Sequence, residues 1–244
     1  MCELFCLSSR VPTRATFSLQ TFASHGAPGR AAIDGWGVAF HDGCDVRLYK
    51  EPEPAGDSAW LALVERRGVA SPLILSHIRR AIRGAITLAN TQPFVRELGG
   101  RMHVFAHNGR LDGIEARSGA DQCFRPVGTT DSELAFCLLL DYLAPLWHAG
   151  SIPEIGDRLD RVTRFAADMR EMGPANFLYA DSEVVFAHGD RRTQTDGSVT
   201  PPGLGSLCRK CAVDADALTR AGVTIGGRGR RAGNRPVRQR AADQ

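Results

Sequence analysis

The sequence predicts an α+β protein built as a layered sandwich, and three observations predict it. Strand-like apolar runs open the chain, two helical segments occupy its middle, and a second pair of strand-like runs follows them. Strands, then helices, then strands is the order expected of sheets packed face to face beneath a helical cover.

Taken in order, residues 2–7 (Cys-Glu-Leu-Phe-Cys-Leu) are apolar and alternate imperfectly, which predicts a buried strand at the extreme N-terminus. Residues 16–23 carry a helical pattern, and residues 26–29, with Pro28, form a loop. Residues 36–40 and 46–49 read as a hairpin turned by His41-Asp42-Gly43. Asp57-Ser58 caps a helix running through Leu61 and Val64, and residues 73–78 have the composition of a buried strand. Residues 84–94 are loop-like, and a strand over 102–106 runs into His107-Asn108-Gly109. Thr130-Asp131-Ser132-Glu133 precedes an apolar helix over 134–143. In the next helix Ile155, Leu159, Val162, Phe165, Ala166 and Met169 recur at helical spacing with charges between them, so that face covers a sheet. Residues 176–180 and 184–187 form a second hairpin across Asp181-Ser182-Glu183. After a short helix-like piece over 213–221, the chain becomes Gly- and Arg-rich without apolar periodicity. The division is a single domain over 2–221 and a basic, disordered tail over 222–244.

A length of 244 residues at 43% hydrophobic and 23% charged content is enough for a full core. The net charge of +3 comes from arginines gathered at the C-terminus, so the body of the protein does not suggest a nucleic-acid partner. Phosphate contacts by Arg228 to Arg240 are an alternative to a plainly solvated end, which is the preferred reading. No apolar run approaches the ~18 residues of a membrane span, and no secretory signal opens the chain. Seven cysteines without framework spacing fit a reducing compartment, and the cytoplasm is the expected location. Cys208 and Cys211 have zinc-ligand spacing but no second pair, so no metal is expected; His41 and His188 read as ordinary core or surface histidines.

The candidate chemistry starts at Cys2. Once Met1 is removed, its α-amine lies within reach of its own thiol, and a reference pKa of roughly 7.7–8 makes that amine a usable general base. Nucleophile and base then reside in one residue. Arg79, in Ser76-His77-Ile78-Arg79, is either a surface charge or a planar fork for a carboxylate. Asn108-Gly109, taken alone, reads first as the preferred pair of a hairpin turn and second as a source of donors for an oxyanion. Asp131 suits a helix start and also suits an ammonium ligand.

These segments, with Asp34-Gly35-Trp36-Gly37 and Asn90-Thr91-Gln92-Pro93-Phe94, resemble in type and order the class II glutamine amidotransferases, from Cys2 to about His188. The likeness is closest to stand-alone, single-domain members. It implies a four-layer αββα sandwich of the N-terminal nucleophile hydrolase type. Cys2 would attack the glutamine side-chain amide through a γ-glutamyl thioester, with Asn108 and Gly109 as the oxyanion hole. Arg79 would grip the α-carboxylate and Asp131 the α-ammonium. Trp36 and Phe94 are read as core. The resemblance implies no cofactor; glutamine or a γ-glutamyl compound is the expected substrate, with water or a separate ammonia-accepting synthase as the acceptor. The chain departs from the family at Ala81-Ile82-Arg83-Gly84, where a threonine that helps hold the carboxylate is replaced by Ile82; Arg80 and Arg83 are the nearby donors. Ile82 and the basic end also admit an inactive scaffold of the same fold.

Overall fold

The computed structural model describes residues 2–17, 34–55, 58–79, 84–194, 196–202 and 223–226. The first sheet is formed by β1 (Glu3–Phe17), β2 (Gly35–Asp42), β3 (Asp45–Glu51) and β4 (Ala70–Arg79). The second holds β5 (Phe94–Leu98), β6 (Arg101–Gly109), β7 (Ala175–Ala180) and β8 (Val185–His188). A two-stranded ribbon of β9 (Arg192–Thr193) and β10 (Val199–Thr200) follows, and β11 (Val223–Gly226) joins the first sheet. The strand orders are β11-β1-β4-β2-β3 and β5-β6-β7-β8, all antiparallel.

Strand alternation assigns each side chain to a layer. Leu4, Cys6, Ala39, Leu73 and Leu75 of the first sheet meet Val104, Leu178 and Ala180 of the second between the sheets. The alternate residues Trp36, Val38, Phe40, Ile74 and Ile78 pack outward against Leu61 and Val64 of helix α1 (Ala59–Arg67). On the far side, Phe94, Phe105, Phe177 and Tyr179 pack against helices α2 (Asp131–Leu143) and α3 (Ile155–Met172). The result is helix, sheet, sheet, helix. Trp36 and Phe94 are core, as expected, and His41 is a buried core histidine.

Local chemistry fixes the helix ends. The Ser58 hydroxyl accepts from Leu61 N–H at 2.9 Å, and Gly68, at φ 55°, closes α1 with its N–H on the Val64 carbonyl. Thr130 caps α2 by accepting from Glu133 N–H at 3.2 Å.

Several expectations need correction. Thr16 and Phe17, expected to be helical, extend β1, where pairing to β11 outweighs a weak local pattern; residues 18–23 lie outside the described residues. Asn108-Gly109 is not a hairpin turn: β6 continues through it, pairing Asn108 with Asn176 and Gly109 with Ala175. Residues 94–98 form a strand, and Asp131, Ser132 and Glu133 make the first turn of α2 instead of preceding it. In α3, Ile155 and Leu159 are exposed, and Arg158 is buried instead. Its guanidinium pairs with Asp181 at 2.8 Å and Glu183 at 2.6 Å, joining the helix to the β7–β8 turn. Four residues of the segment assigned to the tail belong to the first sheet, since Val223–Gly226 pairs with Arg14 to Phe17 of β1. The piece expected over 213–221, Cys208, Cys211 and the remainder of the tail lie outside the described residues.

Candidate active site

One edge of the sandwich gathers the N-terminal end of β1, the C-terminal ends of β4 and β6, and the first turn of α2. Antiparallel pairing forces this: Glu3 opposite Ile78 puts Cys2 beside the Arg79 end of β4. The inter-sheet packing then brings β6 across from it. Cys2, Arg79, Asn108, Gly109 and Asp131, separated by up to 129 positions in sequence, line one cavity of about 450 Å³. That volume lies within the range of small-molecule sites.

The two sheets are tied at this edge by a hydrogen bond from Asn108 Nδ2 to the Cys2 carbonyl, 2.7 Å. The amide keeps a second N–H beyond the one used here. Asn108 is itself positioned through its own carbonyl, which accepts from Asn176 Nδ2 at 2.9 Å. Gly109 tolerates no side chain, because an added Cβ would stand 1.8 Å from the Pro174 carbonyl oxygen and 2.7 Å from His107 Nε2. The five described cysteines, Cys2 among them, form no disulfide.

Arg79 is 4% exposed. Its Nη1 donates to the Ala85 carbonyl at 3.1 Å and its Nη2 to that of Gly84 at 3.4 Å, so the loop after β4 grips the fork. Asp131 lies in the first turn of α2, with Oδ2 accepting from Leu111 N–H at 2.9 Å and Oδ1 from Ser132 N–H at 2.8 Å. A cation and an anion therefore border one cavity, an arrangement suited to a zwitterion.

Loops around the cavity are stitched by side chains that the sequence reading treated as scaffold. Asn90 donates to the Ala85 carbonyl at 3.0 Å and accepts from Thr129 N–H at 2.8 Å, fastening the loop after β4 to the start of α2. Gln92 pairs with the His107 backbone in both directions: Nε2 donates to the carbonyl at 3.1 Å and Oε1 accepts from N–H at 2.6 Å. Gly37 explains part of the Asp-Gly-Trp-Gly segment, since a Cβ there would stand 2.3 Å from the Gln92 carbonyl oxygen. The buried Glu133 carboxylate accepts from Val127 and Gly128 N–H and from Arg96, which holds the turn leading into Asp131.

Two buried imidazoles back the site and had no role in the sequence reading. His77 is pushed down to about 3 by burial, with His107 and Arg79 adding to the effect. Burial also lowers His107, against the opposing charge of Asp131. His107 Nδ1 lies 2.9 Å from the Ser132 hydroxyl. Only their burial, a tertiary fact, separates these residues from ordinary motif neighbours. Position 82 lies outside the described residues, as do Arg80 and Arg83. Among the described residues no cluster of His, Cys, Asp and Glu is arranged to hold a metal ion, and no helix is long and apolar enough to cross a membrane.

Comparison with known proteins bears on the family and the fold. The sequence profile of the class II glutamine amidotransferases matches residues 1–216. YafJ of Escherichia coli, provisionally named a glutamine amidotransferase, is 38% identical over 211 residues, covering 85% of this chain and 80% of YafJ. A Haemophilus influenzae protein with the same provisional name is 33% identical over 189 residues, covering 77% of this chain and 63% of its own length. Among solved structures, a predicted glutamine amidotransferase from Pseudomonas aeruginosa superposes with a TM-score of 0.56 at 31% identity, covering 76% of this chain and 72% of that one. Glutamine phosphoribosylpyrophosphate amidotransferase of Bacillus subtilis shares the fold, with a TM-score of 0.51 at 16% identity over 77% of this chain and 36% of that one. With its αββα layers and the profile match over most of its length, the chain belongs to the class II glutamine amidotransferases.

Proposed function

We propose that this protein hydrolyses the side-chain amide of glutamine with Cys2 as nucleophile. The observation that carries the reading is the meeting of Cys2 and Asn108 across the two sheets, in a cavity that also holds Arg79 and Asp131. With Met1 removed, the Cys2 α-amine takes the thiol proton, and the thiolate attacks the amide carbon. The second N–H of Asn108 and the backbone N–H of Gly109 stabilise the oxyanion that develops. The protonated amine returns its proton to the leaving nitrogen as the C–N bond breaks, which releases ammonia and leaves a γ-glutamyl thioester. Water, deprotonated by the same amine, then attacks the thioester; glutamate leaves and the thiol is restored.

Arg79 and Asp131 set the register of the substrate. Their opposite charges bind the α-carboxylate and α-ammonium, and holding both ends presents the side-chain amide to the sulfur. The ammonia passes to water or to a separate synthase, and a reducing compartment such as the cytoplasm keeps the thiol reactive. No cofactor enters this chemistry.

Ile82 favours a second reading with the same machinery, hydrolysis of a γ-glutamyl conjugate, because a weaker hold on the carboxylate leaves more of the recognition to the leaving group. Ammonia release from glutamine and amine release from a γ-glutamyl amide, measured on the parent and on Cys2→Ala, separate the readings. Mass spectrometry should find Met1 absent and Cys2 alkylated by a diazo-ketone analogue of glutamine. Retained Met1 would overturn the mechanism and favour an inactive scaffold, and turnover that survives Cys2→Ala would overturn Cys2 as the nucleophile.

A further inference from the structure

The Asp131 carboxylate is not held by backbone alone. Ser132, its neighbour in the first turn of α2, places its hydroxyl 3.4 Å from Asp131 Oδ1, and the same oxygen lies 2.9 Å from His107 Nδ1. Ser132 and His107 are both buried, so water does not substitute for either contact. We infer that His107 and Ser132 form a two-step relay, His107 Nδ1–H to Ser132 Oγ and Ser132 Oγ–H to Asp131 Oδ1, that positions the Asp131 carboxylate and so sets selectivity for a substrate with a free α-ammonium.

The direction of the chain follows from proton counting. A carboxylate only accepts, so the single hydroxyl proton of Ser132 points toward Asp131. The hydroxyl oxygen is then left as an acceptor, and the imidazole must supply the proton at Nδ1. The other ring nitrogen agrees with this. Nε2 has no hydrogen-bond partner and is pressed against Gly109, whose missing Cβ would lie 2.7 Å away. The Pro174 carbonyl on that side receives Arg110 N–H at 3.1 Å. The acceptor on that side is therefore already engaged, whereas Nδ1 faces the Ser132 oxygen at 2.9 Å, so the ring proton is better placed on Nδ1. Burial also keeps this imidazole neutral, with one N–H to place.

The relay explains why the serine follows the aspartate at this helix start. The N-terminal turn alone would supply the Ser132 N–H; the hydroxyl adds a third donor and couples it to a buried ring that cannot rotate freely. His107 and Ser132 border the same cavity as Asp131, and the role assigned to them here is to position its carboxylate.

This inference rests on the reading of Asp131 as the ammonium ligand, and the experiment separates the two. Glutamine and 4-carbamoylbutanoate, which lacks only the α-amine, are compared as substrates of the parent, Asp131→Asn, Ser132→Ala and Ser132→Thr. Ser132→Ala should raise the KM for glutamine roughly tenfold, the scale of one hydrogen bond to a charged group. Its kcat should stay within about twofold and its KM for 4-carbamoylbutanoate should not change, as expected of a ground-state contact. Ser132→Thr, which keeps the hydroxyl, should restore parental selectivity. Nitrogen-15 NMR of the parent should show His107 protonated at Nδ1 and bare at Nε2. A Ser132→Ala variant with unchanged selectivity, or one that weakens both substrates alike, overturns the relay, as does a proton on Nε2. If Asp131→Asn abolishes the selectivity while Ser132→Ala keeps it, the relay alone fails. If Asp131→Asn keeps it, or the parent leaves glutamine intact, the underlying reading fails and the relay falls with it.

Discussion

Replacing Asn108 with alanine removes the amide that ties the second sheet to the Cys2 end of the first. The parent side chain donates one N–H to the Cys2 carbonyl at 2.7 Å and keeps a second for the cavity. Losing the first loosens Cys2 at the cost of one partly buried hydrogen bond, about 0.5–1.5 kcal/mol of stability. On the proposed mechanism, losing the second removes an oxyanion donor, which should cost about 2.7–4 kcal/mol of barrier, or roughly 10²–10³ in kcat. Arg79 and Asp131 are held by other partners, through Gly84, Ala85, Leu111 and Ser132, so the KM for glutamine should stay within about threefold. Steady-state ammonia release, with urea denaturation run in parallel, measures both effects on one preparation. A variant whose kcat stays within threefold of the parent, at a stability loss within the stated range, would refute the assignment of Asn108 to the oxyanion. A large loss of stability would instead show that its main task is to join the sheets.

Arg158→Ala should destabilise the protein by about 3–5 kcal/mol in urea denaturation, because the wholly buried Asp181 loses the guanidinium that offsets its desolvation; kcat under folding conditions should be nearly unchanged. Gly109→Ala forces a Cβ to within 1.8 Å of the Pro174 carbonyl, and the resulting shift of β6 against β7 should cost about 1–3 kcal/mol and depress kcat. Acid should weaken the fold earlier than carboxylates alone require. Burial pushes His41 and His103 down to about 4 and His77 to about 3, all below their unfolded value of 6.5. The unfolded chain therefore binds more protons below pH 6.5, so stability is full above that pH and falls as pH drops toward the folded values. Thermal melts from pH 8 to 4 should show the decline setting in near 6.5, and His77→Phe should flatten it; a melting temperature constant from pH 6.5 to 5 would contradict the sign.

The layers were legible in the sequence because alternation and helical spacing are local. Trp36, Val38 and Phe40 against Ala39 already assign the two faces of β2, and Val162, Phe165, Ala166 and Met169 already assign one face of α3. A helix end was legible where Ser58 bonds its own turn, whereas the start of α2, capped by Thr130, lies three residues before the apolar run that marked it in the sequence. Arg158 shows where that reasoning ends: a charge at a boundary between polar and apolar faces goes inward only because Asp181, brought close by the β7–β8 turn, pays its desolvation cost.

The motif residues could be named one by one from the sequence, and their residue types constrained the chemistry each supports. What only the tertiary structure decided is their company. Asn108-Gly109 satisfies the rules for a tight turn, yet Asn176 and Ala175 of β7 hold it as strand, and only then does the Asn108 amide reach Cys2. His107 had no role in the sequence reading; burial and the nearby Ser132 hydroxyl are what single out its ring. The N-terminal residue, the end of β4 and the start of α2 meet because antiparallel pairing and sheet stacking close distances that no local pattern encodes. Short-range periodicity determines which face a residue presents; long-range pairing determines what it faces.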